Sequence, residues 1–284
     1  MTVLVIHGGA GRVTDPKRRN AMAHALSETL SKTWPLLQKA GSRAAVVRAV
    51  QLLEDNPLFN AGIGSKLQSD GVARLSAALM DGPRMRFSGV INVEGLRNPI
   101  LLARKLLEEK DRVLSGTGAL ARARELGLEE CDVRTRRAID AFEKALAGET
   151  GTVGAVAVDS VGHLAAATST GGRGMERVGR VSDSCTVAGN YADSEAAVSC
   201  TGIGEDIVDA AIATRIVTSL GQDIHLREAS ERCLTLMRSK GWKAGFIGVD
   251  KSGEWVADRT TESLYWAVRT PEFEDGFWKE PESS

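Results

Sequence analysis

An excess of charge of either sign is missing from this chain. Its 36 Lys and Arg face 37 Asp and Glu, for a formal net charge of −1. Nothing in that balance favours the phosphate backbone of a nucleic acid or an anionic membrane surface. Cysteine is scarce too. Cys131, Cys185, Cys200 and Cys233 fall at no metal-ligand spacing, so neither a zinc centre nor a disulfide framework is indicated, and each reads as a small buried hydrophobe. Long apolar runs are absent. The opening MTVLVIHGGAG has no basic leader, and its apolar stretch is too short for a signal sequence or a membrane span. The expected setting is therefore the cytoplasm. Nucleotide signatures fail as well: Gly8 to Gly11 follow a strand candidate, but the G-x-G-x-x-G spacing and the P-loop lysine are missing.

What remains is an ordinary globular composition, 43% hydrophobic and 26% charged over 284 residues, enough for one large domain or two small ones. The informative stretch is Gly151 to Gly172, GTVGAVAVDSVGHLAAATSTGG. Val153 to Val158 is continuously apolar, as in a strand covered on both faces. Asp159-Ser160-Val161-Gly162 reads as a tight turn and Leu164 to Thr168 as the returning strand. Ser169-Thr170-Gly171-Gly172 closes it. Thr152 then stands at the edge of a buried hairpin. A Thr before a strand most often only satisfies β-propensity. The sharper reading is a nucleophile: a Thr hydroxyl is activated by its own α-amine, which Thr152 acquires only if the Gly151–Thr152 bond is cut. Gly151 suits a strained, closely approached position, and Glu143 to Gly151 reads as a linker leading to the cut.

Elsewhere the pattern alternates strands and helices. Thr2 to Ile6 is a strand candidate running into a Gly-rich turn, and His7 reads as a hydrogen-bonded structural histidine. Helical spacing at Met22, Leu26, Leu30 and Leu37 comes with an expected kink at Pro35, and a second helix carries Val46, Val50 and Leu53. Leu58 to Gly64 is an ordered, partly buried loop. Strands are expected over Leu75 to Met80 and Phe87 to Val93. Helices are expected after Pro99, around Ala119 to Glu125 and through Ile139, Phe142 and Leu146. Further on, Ala196 to Cys200 is a strand, Val208, Ile212 and Ile216 share a helix face, and Leu226 to Leu236 is a helix. A second hairpin spans Phe246 to Asp258, and the end from about Glu272 is expected to fray. Arg180 and Asp183 form either a surface ion pair or a grip for a zwitterion. Thr201-Gly202-Ile203-Gly204-Glu205 reads as a turn opening a helix, hence as either a cap or a candidate oxyanion hole.

Seven stretches taken together resemble the plant-type asparaginase/isoaspartyl peptidase family of N-terminal-nucleophile hydrolases. They are HGGAG at His7, PLFNAGIGS at Pro57, LMDG at Leu79, GTVGAVAVD at Gly151, LAAATSTGG at Leu164, GRVSDS at Gly179 and VSCTGIGE at Val198, in the family's order. The resemblance implies an α+β fold, a four-layer αββα sandwich. It implies one domain cut into residues 1–151 and 152–284 that stay together as a dimer of αβ units. It makes Thr152 the nucleophile, tuned by Thr170, with Asn60 close to the reacting centre. Arg180 would hold the substrate α-carboxylate, and Asp183 with the Gly204 carbonyl its α-amine, while Thr201 and Gly202 form the oxyanion hole. The implied substrates are β-aspartyl dipeptides and, secondarily, L-asparagine. No catalytic cofactor is implied, only a structural sodium or potassium ion on carbonyls of Leu53, Glu54, Asn56, Phe59, Ala61 and Ile63. Where relatives usually continue Thr-Asn-Lys after the double glycine, this chain has Arg173 to Arg177; Glu176 there would favour a basic leaving group if its loop lined the pocket. The competing expectation is a binding protein of the same fold that is never processed.

Overall fold

The structure is a computed structural model and describes residues 1–144, 151–221 and 223–279. In chain order, strand β1 (Val3–Ala10) leads to helix α1 (Pro16–Glu54), strands β2 (Leu75–Asp81) and β3 (Arg86–Val93), and helix α2 (Pro99–Leu106). Strand β4 (Val113–Ser115) and helices α3 (Gly116–Glu125) and α4 (Arg136–Glu143) precede the central hairpin, β5 (Val153–Val158) and β6 (Leu164–Thr170). After it come β7 (Asn190–Ala192), β8 (Ala196–Gly202), α5 (Gly204–Ala210), α6 (Ile212–Thr218) and α7 (Leu226–Lys240). Four strands follow, β9 (Ala244–Asp250), β10 (Trp255–Arg259), β11 (Leu264–Arg269) and β12 (Glu274–Gly276), and then a short 3-10 turn at Phe277–Lys279.

Two sheets form. One has eight strands in the order β12-β11-β1-β5-β6-β2-β3-β4, the other four in the order β10-β9-β8-β7. β5 and β6 pack face to face on β8, and β1 packs on β9. α1 covers the outer side of the large sheet over β1, β5, β6 and β11, while α6 and α7 cover the small sheet. The layers are helix, sheet, sheet, helix, an αββα sandwich. Every residue of β5 and β6 is buried, which is why both strands read as unbroken apolar or small-residue runs rather than alternating ones.

The central turn is bonded as its sequence implies. Asp159 Oδ1 accepts the Val161 and His163 amides, and Gly162 takes the positive φ of 83°. The other oxygen of Asp159 accepts the Ser42 amide at 3.1 Å. Ser42 follows Gly41, whose φ of 82° breaks α1. The break in the long helix therefore lies at Gly41 and not at Pro35. A turn carboxylate holds the buried Ser42 amide there, whereas Pro35 stays inside regular helix.

Three other expectations need correction. The Gly-rich segment His7–Ala10 is strand, not turn, because β11 pairs with β1 as far as Ala10↔Leu264, with a bulge after His7. Thr201 and Gly202 end β8 instead of forming the turn after it. Val208 does not share a face with Ile212 and Ile216, since Ala211 adopts φ 48° between two short helices and leaves Val208 exposed. Leu146 and residues 145–150 of the expected linker lie outside the described residues, as do 280–284 at the end expected to fray. Among the described residues no helix is long and apolar enough to cross a membrane.

Candidate active site

β5 and β6 pair in antiparallel register with Val153 opposite Ser169. The ladder therefore sets Thr152 across from Thr170. The Thr152 hydroxyl donates to Thr170 Oγ1 at 3.3 Å, and Thr170 Oγ1 also accepts the Gly172 amide at 3.1 Å. Thr152 is only 6% exposed. The residue before it, Gly151, lies against Asn60: a Cβ built on Gly151 would stand 3.0 Å from that of Asn60. Asn60 is fixed at three points. Its amide nitrogen donates to the Gly172 carbonyl, its side-chain oxygen accepts the Lys66 amide, and its carbonyl accepts the Gly171 amide. Asn60 therefore lies beside Gly151, the residue that precedes Thr152.

β8 packs on this hairpin, and Thr201 and Gly202 are its last two residues. Thr201 is fully buried, and its hydroxyl has no hydrogen-bond partner among the described residues. It is a donor held in a low-dielectric place, as an oxyanion stabiliser requires. Gly202 has φ 142°, and a Cβ there would meet the Ala244 backbone at 2.5 Å, so only glycine fits.

Arg180 and Asp183 do not pair with each other. Arg180 Nε and Nη2 reach the two oxygens of Glu205 at 3.0 and 2.9 Å. Asp183 accepts only the Ser182 hydroxyl, at 3.1 Å, and its second oxygen is buried without a partner among the described residues. Burial pushes its carboxyl up to about 6, against the opposing hydrogen bond from Ser182 and the charge of Arg180. Both side chains abut Gly204, where an added Cβ would collide with Arg180 Nη2 and meet Asp183 Oδ1. Arg180 and Asp183 thus lie on either side of the Gly204 backbone, with the unpartnered Asp183 oxygen turned toward Gly189.

Two features were not foreseen. A buried polar chain runs between the sheets beneath the two threonines. His7 Nε2 meets Ser199 Oγ at 3.0 Å, Ser199 Oγ meets Thr168 Oγ1 at 2.7 Å, and Thr168 donates to Asn190 Oδ1 at 2.9 Å. Gly154 makes room for it, since a Cβ there would collide with both His7 and Ser199. Burial holds the imidazole down at about 3, only partly offset by the Thr152 backbone, so His7 is neutral. The second is Glu54, fully buried and raised to about 8 by desolvation, which accepts the Ser169 hydroxyl at 2.7 Å and the Ile100 amide at 3.1 Å. It ties the end of α1 to the residue beside Thr170 and to the start of α2.

The asparaginase family model matches residues 1–150 and 137–275. The chain belongs to the asparaginase family. Among its relatives in this family, the isoaspartyl peptidase/L-asparaginase of a Nostoc species is 42% identical, over 96% of this chain and 92% of its own. The isoaspartyl peptidase/L-asparaginase of Rattus norvegicus is 37% identical over 94% and 85%. The plant-type L-asparaginase of Pyrococcus horikoshii is 33% identical over 100% and 99%. The 53–63 loop is where a monovalent cation was expected. A Cβ on Gly62 would run into the Glu54 carbonyl, and one on Gly64 would meet the Pro57 and Phe59 carbonyls at 2.7 and 2.8 Å. Carbonyl oxygens therefore converge on this loop. Leu53, Glu54 and Asn56 already accept backbone amides, which leaves each a second lone pair. The donor set fits a hard cation of low charge. It does not resemble a transition-metal site, and no cluster of three His, Cys, Asp or Glu able to hold a metal occurs among the described residues.

Proposed function

We propose that this chain is a self-cleaving threonine amidohydrolase, one domain processed into residues 1–151 and 152–284. Its substrates are β-aspartyl dipeptides and, secondarily, L-asparagine, and L-aspartate is released. The observation that carries the reading is the Thr152–Thr170 hydrogen bond at 3.3 Å with Gly151 packed on Asn60. It puts a buried hydroxyl next to the bond that must break. The names of the relatives support the substrate class.

In the uncut chain the Thr152 oxygen attacks the Gly151 carbonyl carbon. The acyl group moves from nitrogen to oxygen, and water hydrolyses the resulting ester, leaving a carboxylate on Gly151 and a free α-amine on Thr152. That amine then serves as the base. Arg180 takes the substrate α-carboxylate, and Asp183 with the Gly204 carbonyl takes the α-ammonium, so the side-chain carbonyl faces Thr152. Attack forms a tetrahedral oxyanion, which Thr201 and Gly202 stabilise. Its collapse expels ammonia or an amino acid and leaves an aspartyl ester, which water cleaves to aspartate.

In this reading the 53–63 loop holds a sodium or potassium ion that shapes the loop without entering the chemistry. The mature enzyme is a dimer of αβ units. It works in the cytoplasm, a setting its four free thiols suit. Intact mass under denaturing conditions tests the core of the proposal. Two species split between Gly151 and Thr152 are expected after incubation. A persistent full-length chain that retains aspartate without turnover would instead identify an unprocessed binding protein.

A further inference from the structure

Asn92, near the end of β3, takes φ 51°, in the left-handed region that residues other than glycine seldom adopt. The pairing of β3 with β2 shows why. Leu75 stands opposite Val93 and Ala77 opposite Val90, so Ile91 and Asn92 together face the single residue Ser76. This is a β-bulge, an extra residue that bends its strand and re-aims a side chain. The backbone N–H of Asn92 donates to Ser76 Oγ at 3.1 Å, which fixes the turned backbone. The side chain leaves the strand, and its Nδ2 donates to the Arg180 carbonyl at 2.9 Å.

Little else holds that stretch of chain. Arg177, Val178 and Gly179 before Arg180 and Val181 after it are all exposed. The Arg180 amide closes a turn onto the Arg177 carbonyl at 3.1 Å. Among the described residues, the Asn92 side chain makes the only hydrogen bond from another element to the backbone of 177–181. Glu205 steadies the guanidinium from a half-exposed side chain. Asn92 fixes the backbone from which the guanidinium springs.

The bulge also lies in register with the reacting centre. Ser76 pairs with Thr170, and Thr170 stands across from Thr152. One row of the large sheet therefore runs through Thr152, Thr170, Ser76 and the bulge at Asn92. From Ser76 the row reaches the turn that carries Asp183 as well. The Cys185 thiol meets the Ser76 side chain and donates to the Ser182 carbonyl at 3.0 Å.

We propose that Asn92 is a positioning residue of the substrate clamp: the bulge opposite Ser76 aims its side-chain amide at the Arg180 carbonyl and so sets where the guanidinium stands relative to Thr152. The inference rests on the amidohydrolase reading above, in which Arg180 takes the α-carboxylate. Glycine would hold the left-handed backbone with less strain, so what asparagine adds here is the amide itself. Asn92 touches no substrate. It acts through Arg180, and it favours ligands that carry an α-carboxylate. Since it lies within residues 1–151 and Arg180 within 152–284, one product of the proposed cut sets the substrate contact of the other.

Asn92→Gly in the mature enzyme separates this role from a structural one, because it keeps the backbone conformation and removes only the amide. KM for L-asparagine should rise roughly 3- to 10-fold with kcat nearly constant, as expected for one lost hydrogen bond. Inhibition by L-aspartate should weaken by the same factor. Inhibition by β-alanine, which is aspartate without its α-carboxylate, should not change. Asn92→Asp sets an acceptor against the Arg180 carbonyl and should weaken L-aspartate at least as much. Were Asn92 only closing the bulge, the unfolding temperature would move and these constants would not. An L-aspartate constant unchanged in both variants, or one that weakens in step with that of β-alanine, would overturn the role. Wild-type enzyme, cut between Gly151 and Thr152, that hydrolysed neither L-asparagine nor a β-aspartyl dipeptide would instead remove the reading on which it rests.

Discussion

Arg180 presents one edge of its guanidinium, Nε and Nη2, to both oxygens of Glu205. A guanidinium has a second bidentate edge, between its two terminal nitrogens. Glu205 therefore orients the arginine while leaving its end-on edge for a substrate carboxylate. The Glu205 side chain is half exposed, so the pair adds little to stability and its value lies in positioning. Glu205→Gln should raise KM for L-asparagine about 3- to 10-fold with kcat nearly constant, in line with roughly 1 kcal/mol of lost orientation. Steady-state kinetics check this. A fall in KM would mean that Glu205 competes with substrate instead.

Asp183 binds its proton more tightly in the folded chain, near pH 6, than the ordinary carboxylate value of 3.8 allows. It must be ionised to hold an ammonium group. Competitive inhibition by L-aspartate should stay constant above about pH 6 and weaken as pH falls below it. The stability sign is the opposite. A raised carboxyl penalises the fold at neutral pH, and the penalty disappears as pH falls through about 6 toward 3.8. Asp183→Asn should thus stabilise the fold at pH 7.5, by up to about 3 kcal/mol, with no gain at pH 4. Thermal unfolding at the two pH values would reveal a missing or inverted difference.

Thr170 receives hydrogen bonds from both the nucleophile and the Gly172 amide. Thr170→Val removes the acceptor at nearly constant volume. Self-cleavage, followed by gel electrophoresis, and kcat of the cleaved fraction should both fall, by about 10- to 100-fold. Thr170→Ser should recover most of the loss. A Val variant as fast as wild type would remove Thr170 from the machinery.

The chain from His7 through Ser199 to Thr168 predicts a structural cost. Ser199→Ala orphans buried groups on both sides and should destabilise the fold by about 1 to 3 kcal/mol, measurable by urea denaturation. His7 adds a pH dependence. Its folded value lies near 3, below the ordinary 6.5, so the unfolded chain takes up the proton first, and stability falls as pH drops from about 6.5 toward 3. His7→Gln should flatten that part of the profile.

The central hairpin was legible because each of its signals was local: an apolar run, a four-residue turn, and a Thr placed by period-two pairing opposite another. The resemblance then singled out Arg180, Asp183 and Gly204, and the fold brings the three together. What the sequence hid was non-local. HGGA is glycine-rich, so it reads as a turn; only pairing with β11, more than two hundred residues away, makes it strand. Pro35 carries the stronger helix-breaking signal, yet the break follows the Asp159 carboxylate to Gly41. Glu205 and Ser199 lie inside the quoted VSCTGIGE stretch, but neither has a spacing that announces its partner. Glu176 is visible in sequence as a charge near the site, while the direction its buried side chain takes, against Gly172, is not.

The strand order of the large sheet has a consequence for what the mature protein is. β1 lies between β5 and β11, and β2 is paired to β6. If the chain is cut at Thr152 as proposed, backbone ladders from one product run on both sides of a strand from the other. The two products share a single core, so they cannot separate without unfolding. Before the cut, refolding is a first-order event in one chain. Afterwards it needs two molecules to meet, and its rate depends on dilution. One hydrolysed bond thus gives the folded state a molecularity, and denatured mature enzyme should recover poorly from conditions that its precursor survives.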